Sequence, residues 1–277
     1  MRHLTFAMIL LAGMLLSAHA HSLNSERYMR YVEKADSLVG AERWEEAEKC
    51  LRLALHTEPA NPGNQLLLTN MGMILTAQGK YGEAISHLDV ALSLNPRSFL
   101  ALKRRGIAYS AMRQMDDAAD NFTQALAIDS LDTDVRCLRA TVYACTDRLD
   151  SAMADYNRVL TTDRNNVIAL EGMAACLISR GSHDEALPFL NRLIEQKPEA
   201  DHLFTRGLAY ARLGRLTEAT EDASEGLLMD PSSGNLWLLR AYIEKITYRL
   251  NEAKSSLHKA HRYGCDRDLE YQLLPDL

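Results

Sequence analysis

His258, His261 and Cys265 are the only group in this chain whose residue types and spacing resemble a metal-ligand set. Two histidines stand three apart and a thiol follows four residues later, so one helical turn and its exit would bring two imidazoles and a sulfur together. Zinc takes such nitrogen and sulfur donors, but it needs three or four of them in fixed geometry. The same residues also fit the polar face of a helix running into a C-terminal glycine, here Gly264, and that alternative takes precedence. Other chemistry is missing from the sequence. There is no glycine-rich phosphate loop, no HExxH, no Cys-x-x-Cys pair and no Gly-x-Ser-x-Gly elbow. Carboxylates are plentiful but spread along the whole chain, so neither an enzyme nor a cofactor is expected.

Five cysteines, Cys50, Cys137, Cys145, Cys176 and Cys265, leave at least one thiol free because the count is odd. Cys137 and Cys145 are eight apart on one expected helix, so their backbones are about 12 Å apart at the usual rise. They cannot bridge each other. Small, buried, apolar side chains are the plainer account of these residues.

The elements that would position any of these groups are set by a repeat. Ala47, Ala84, Ala118, Ala152, Ala186, Ala219 and Ala253 recur at steps of 37, 34, 34, 34, 33 and 34 residues. Twelve residues before each stands a second small residue: Ala35, Gly72, Gly106, Ala140, Ala174, Gly207 and Ala241. A period near 34 signals one helix-turn-helix unit stacked on itself, each unit too small to bury its apolar face alone. Apolar residues around both small positions fall at i, i+4, i+7, as in Leu68-Gly72-Leu75 and Ala84-Leu88-Ala91. Gly79-Lys80, Gly181-Ser182 and Gly214-Arg215 mark turns between the helices, and Pro59, Pro96, Pro198 and Pro231 follow the second helices. Arg105, Arg139, Arg206 and Arg240 each precede the small residue of a first helix. Ion pairs from Arg139 to Asp155 and from Arg206 to Asp222 are expected inside their hairpins.

These positions resemble the tetratricopeptide repeat family over residues 28–264, most fully in Leu203-x-x-x-Gly207-x-x-Tyr210 with Ala219 and Pro231. Ser130 and Arg164 depart from the pattern by replacing the closing proline, Arg136 sits where a bulky residue belongs, and Pro62-Gly63-Asn64 is an insertion. The resemblance implies an all-α, right-handed solenoid of about seven units: 28–61, 65–98, 99–132, 133–166, 167–199, 200–233 and 234–264. A capping segment at 265–277 would cover the last apolar face through Leu269, Tyr271, Leu273 and Leu274.

The family lines its concave face with first helices, which implies a partner-binding groove. Its residues would be Met73, Lys103, Ile107, Cys137, Thr141, Glu171, Ala175, Phe204, Leu208, Arg212, Leu238 and Tyr242. Relatives that hold acidic chaperone tails use a clamp of Lys, Asn and Arg. Lys103 matches the clamp lysine, but Ile107 and Leu138 stand where its asparagines belong, so a mainly apolar groove for a helix or extended peptide is expected instead.

Residues 1–20 carry a basic start at Arg2, an apolar run from Leu4 to Leu16 and the small-x-small pattern Ala18-His19-Ala20, a secretory signal cleaved after Ala20. That run is too short for a membrane span, and residues 21–27 would be a leader to the repeats. A formal charge of −6, with acids and bases interleaved, argues against nucleic-acid binding. The expectation is therefore an exported bacterial repeat protein, periplasmic or secreted, that acts as a non-enzymatic scaffold for a protein or peptide partner. The alternatives are a thiol- or metal-dependent site in the last repeat and a self-assembling structural protein.

Overall fold

The computed structural model describes residues 23–277, so the expected signal at 1–20 lies outside the described residues. Every regular element among them is an α-helix. The first, α1, occupies 23–40. It is followed by α2 (Trp44–Thr57), α3 (Asn64–Ala77), α4 (Tyr81–Leu94), α5 (Phe99–Ala111), α6 (Met115–Ile128) and α7 (Thr133–Cys145). Then come α8 (Leu149–Thr162), α9 (Val167–Ser179), α10 (His183–Gln196), α11 (Ala200–Arg212), α12 (Leu216–Met229), α13 (Gly234–Ile246), α14 (Leu250–Tyr263) and the short α15 (Arg267–Leu273). The fold class is an α-solenoid of helix-turn-helix repeats. The chain divides into two compact units within α7, one ending at Val142 and the other starting at Tyr143.

The recurrent alanines are the tightest points of both units. All seven, from Ala47 to Ala253, have no exposed surface. At Gly72 and Gly106 the small residue of the first helix has a related but distinct role: it seats a large side chain from the second. A Cβ placed on Gly72 would stand 2.5 Å from Leu88 Cγ, and one on Gly106 would stand 2.6 Å from Phe122 Cε1. Both distances are far inside van der Waals contact, so Leu88 and Phe122 occupy the space a side chain would need. In the second unit, Gly207 instead admits Leu239 of α13, the first helix of the next repeat, 2.8 Å from where a Cβ would be.

Helix ends are handled by two repeated means. First helices start without a side-chain cap in α3 and α11 and with one in four cases: Ser98 accepts from Ala101 N, Asp132 from Val135 N, Asn166 from Ala169 N and Ser233 from Leu236 N. They stop at a left-handed residue, where the chain turns back with a bond to a carbonyl five residues earlier, such as Lys80 N to Leu75 O and Arg215 N to Tyr210 O. Gly79, Gly181 and Gly214 hold this conformation in three turns, and Glu42, Arg113, Asp147 and Tyr248 hold it in the others. The insertion after α2 is closed by polar bonds, Asn61 Oδ1 accepting from Gly63 N and Asn64 Nδ2 donating to Glu58 O.

Arginines clip successive second helices together. In the first unit, Arg105 donates to Asp89 of α4 at 2.6 Å and to Asn121 of α6 at 2.8 Å. Arg139 donates to Thr123 of α6 at 3.0 Å. In the second, Arg206 makes two bonds to Asp222 of α12 at 2.7 and 2.9 Å and one to Asn191 of α10 at 2.9 Å. The Arg206–Asp222 pair is one of the two that the spacing anticipates, and the bond back to the preceding repeat adds to it. Arg240 departs from the scheme: it pairs with buried Glu244, whose other oxygen accepts from Ser256 of α14.

At the C-terminus, Leu273 and Leu274 are buried against Leu238, Ala241, Leu257 and Ala260. Leu269 packs on the same cluster, but Tyr271 is 77% exposed and contributes no cover. Helical phase explains the difference, since Tyr271 falls on the opposite side of α15 from Leu269 and Leu273. All five cysteines are free thiols.

Two predictions follow from these contacts. Tyr248 is 90% exposed in a left-handed turn, so Tyr248→Gly should stabilise the chain by about 0.5–1 kcal/mol while Gly214→Ala costs about 1 kcal/mol; urea midpoints measure both. Arg206→Ala leaves buried Asp222 without its cation and should cost about 3 kcal/mol, whereas the double change Arg206→Met with Asp222→Leu recovers most of the loss.

Candidate functional site

Two repeat positions on the first helices face open space in the first unit: the residue two before the small residue and the residue one after it. In α1 these are Glu33 and Asp36, in α3 they are Asn70 and Met73, and α5 adds Arg104. Together with Val32, Val39 and Leu51 they line a cleft of about 440 Å³. Each reaches it for the same reason: neighbouring turns of the helix are consumed by packing around Ala35, Gly72 and Gly106, and these two positions flank that buried stripe.

The cleft is electrically divided. Arg104 Nη1 donates to Thr69 O at 2.9 Å and to Asn70 Oδ1 at 2.7 Å, which fixes the guanidinium. Its burial pulls the guanidinium pKa down, a sign that water has been partly stripped from this end. Glu33 and Asp36 supply two exposed carboxylates from α1, and Met73, Val32 and Val39 supply an apolar surface.

Of the groove residues expected from sequence, Met73 lies in this cleft. Lys103 is engaged elsewhere, with Asp134 at 3.3 Å and Asp132 at 3.9 Å, so acids at the N-terminal end of α7 neutralise it. Ile107 is half-buried and Thr141 is exposed, its hydroxyl donating to Cys137 O. Cys137 itself is 3% exposed and cannot meet a ligand. It packs inward on the side of α7 that also carries Ala140, while Val135, two residues earlier, is buried on the other side.

In the second unit, Glu171 is exposed and bound to His202 Nε2 at 3.0 Å, and Ala175 is exposed beside it on α9. Phe204 is half-buried, and Arg212 lies over the Tyr242 ring with 5.8 Å to its centroid. Leu238 has no exposed surface: it is the centre of the cluster closed by Leu273 and Leu274, with Leu208 and Tyr242 packed around it. The C-terminal segment therefore removes Leu238 from any groove and half-covers Leu208 and Tyr242.

The metal candidate also changes membership. His261, Cys265 and Glu270 present ligand atoms within 4.8 Å of one another, and His258 is outside that group. His258 follows α14 one turn back and is exposed. Glu33, Asp36, Asn70 and Arg104 went unrecognised as site residues, although the sequence held a signal: Glu33, Asn70 and Arg104 occupy one repeat position in three successive units and are all polar.

A tetratricopeptide repeat family model matches residues 32–99, 103–167 and 177–235, and a second of the same description matches 146–204. The chain is 27% identical to a tetratricopeptide repeat protein from Parabacteroides merdae, whose structure superposes with a TM-score of 0.68 over 90% of this chain and 98% of that one. YrrB, a tetratricopeptide repeat protein with an unusual peptide-binding site, is 22% identical with a TM-score of 0.58, covering 67% of this chain and 95% of its own. Among sequence relatives, the DnaJ homolog subfamily C member 7 homolog of Dictyostelium discoideum is 22% identical over 227 residues, 76% of this chain but 41% of that protein. The chain thus spans less than half the length of that relative. No helix among the described residues is long and apolar enough to cross a membrane.

Proposed function

The chain belongs to the tetratricopeptide repeat family, and from that premise we propose a non-enzymatic scaffold that holds a segment of a partner protein on the first-helix face of its repeats. The observation that carries this reading is the divided cleft of α1, α3 and α5. It suits an extended or helical peptide with an apolar side chain seated on Met73 and Val39, a basic side chain towards Glu33 and Asp36, and a carbonyl or carboxylate towards Arg104. In the second unit the same face offers Glu171, Ala175, Phe204 and Arg212. Lys103, held by two aspartates, is unsuited to clamp an acidic terminus.

The repeats are assigned to 28–264 and the cap to 265–277, and the work is placed in a bacterial envelope on the strength of residues 1–20. A photoactivatable residue at Met73 is expected to cross-link the partner in intact cells, whereas one at Leu228, 83% exposed on α12, is not. Met73→Lys and Asp36→Lys should each weaken capture roughly tenfold, about 1.4 kcal/mol, with the helical content unchanged. Equal capture from both positions, or undiminished capture by both variants, would mean that the partner binds another face.

A further inference from the structure

The geometry points to a binding site for one divalent transition-metal ion of the zinc class, formed by His261, Cys265 and Glu270. Three kinds of donor converge there from three pieces of chain: an imidazole from the last turn of α14, a thiol from the connection, and a carboxylate from α15. Their ligand atoms lie within 4.8 Å of one another. His261 Nε2 is 2.8 Å from Glu270 Oε1, and Cys265 Sγ is 3.7 Å from Glu270 Oε2. Ligands around a tetrahedral ion with bonds of about 2.0–2.3 Å are separated by similar distances, so small side-chain movements would close the site.

The backbone holds the three in register without the ion. Gly264 reverses the chain at φ 81°, and Cys265 N donates to Ala260 O at 3.0 Å. Asp266 N donates to Asn235 of α13 at 2.8 Å, while the Asp266 side chain caps α15 through Leu269 N at 3.0 Å. Arg267 donates to Glu270 Oε2 at 2.8 Å and would serve as the outer partner that orients the carboxylate. Charge also balances: one thiolate and one carboxylate neutralise a divalent ion, with His261 neutral. Cys265 is only partly buried and His261 is exposed, so water fills the fourth position.

The step is a proton exchange. The hydrated ion forms a bond to sulfur, the Cys265 S–H bond breaks, and the proton leaves to solvent; no electrons move. Because the thiol must give up its proton to bind the ion, binding tightens as pH rises. The ion would bridge α14 and α15 and so fasten the segment that buries Leu273 and Leu274.

Titration of the full, metal-free chain with zinc and with cobalt(II) tests this. One ion should bind per chain with release of about one proton, and cobalt should give a sulfur-to-metal charge-transfer band. Cys265→Ser should abolish the band, Glu270→Gln should weaken zinc binding roughly tenfold or more, and His258→Ala should change neither. Melting of the metal-free Cys265→Ser chain at the wild-type temperature confirms that the cap is intact. Absence of the band in the wild type, zinc binding undiminished by Cys265→Ser, or loss of binding in His258→Ala would each overturn the assignment.

Discussion

Close approach of two helices at a missing side chain is the constraint on which everything else in this molecule depends. Gly106 admits Phe122 to within 2.6 Å of where a Cβ would stand, and Gly72 admits Leu88 in the same way. At these two positions each hairpin of the first unit closes on a large side chain of its own second helix. The seven unexposed alanines are the complementary half of this packing. With packing fixed so tightly, the arginine clips of Arg105 and Arg206 can reach both neighbouring second helices from one side chain. Dispersion and burial hold each hairpin, and these charge-assisted bonds tie one hairpin to the next.

The surface proposed to hold a partner is what remains after packing has taken its share of each first helix. Glu33, Asp36, Asn70, Met73 and Arg104 project from positions that flank the buried stripe, so the frame determines where they stand but not what they are. Their chemistry changes from repeat to repeat, acid in α1, amide and thioether in α3, guanidinium in α5, and this variation makes the cleft directional. At the other end, Leu238 shows the converse case. A first-helix residue that would face a ligand in an internal repeat is covered because the chain folds α15 over the last hairpin.

The period made the helices and most of the core legible in the sequence, because small-residue spacing reports backbone proximity directly. It was less informative about contacts made across a turn or between repeats. The family resemblance puts Cys137 and Leu238 in a groove, but a position on a first helix does not say what the neighbouring elements lay over it. Four of the left-handed turns were hidden because Glu42, Arg113, Asp147 and Tyr248 stand where glycine would have marked them. Glu270 escaped the metal-ligand pattern for a similar reason: it belongs to a different helix from His261, and only the reversal at Gly264 brings the two together. The cleft was missed in part because its polar members, Asn70 and Arg104, lie outside the apolar stripe by which a helix face is usually recognised.

Size complementarity at Gly72 and Gly106 sets how closely the two helices of each of these hairpins approach. It is tested most directly by a double-mutant cycle at Gly106 and Phe122 in equilibrium unfolding. Gly106→Ala should destabilise the chain by about 1–3 kcal/mol through overpacking, and Phe122→Leu should cost about 1–1.5 kcal/mol through lost volume. If the seat is real, the double variant is more stable than the sum of the two losses by at least about 0.5 kcal/mol, because the smaller ring-free side chain makes room for the added methyl. Strict additivity of the two losses would contradict the account.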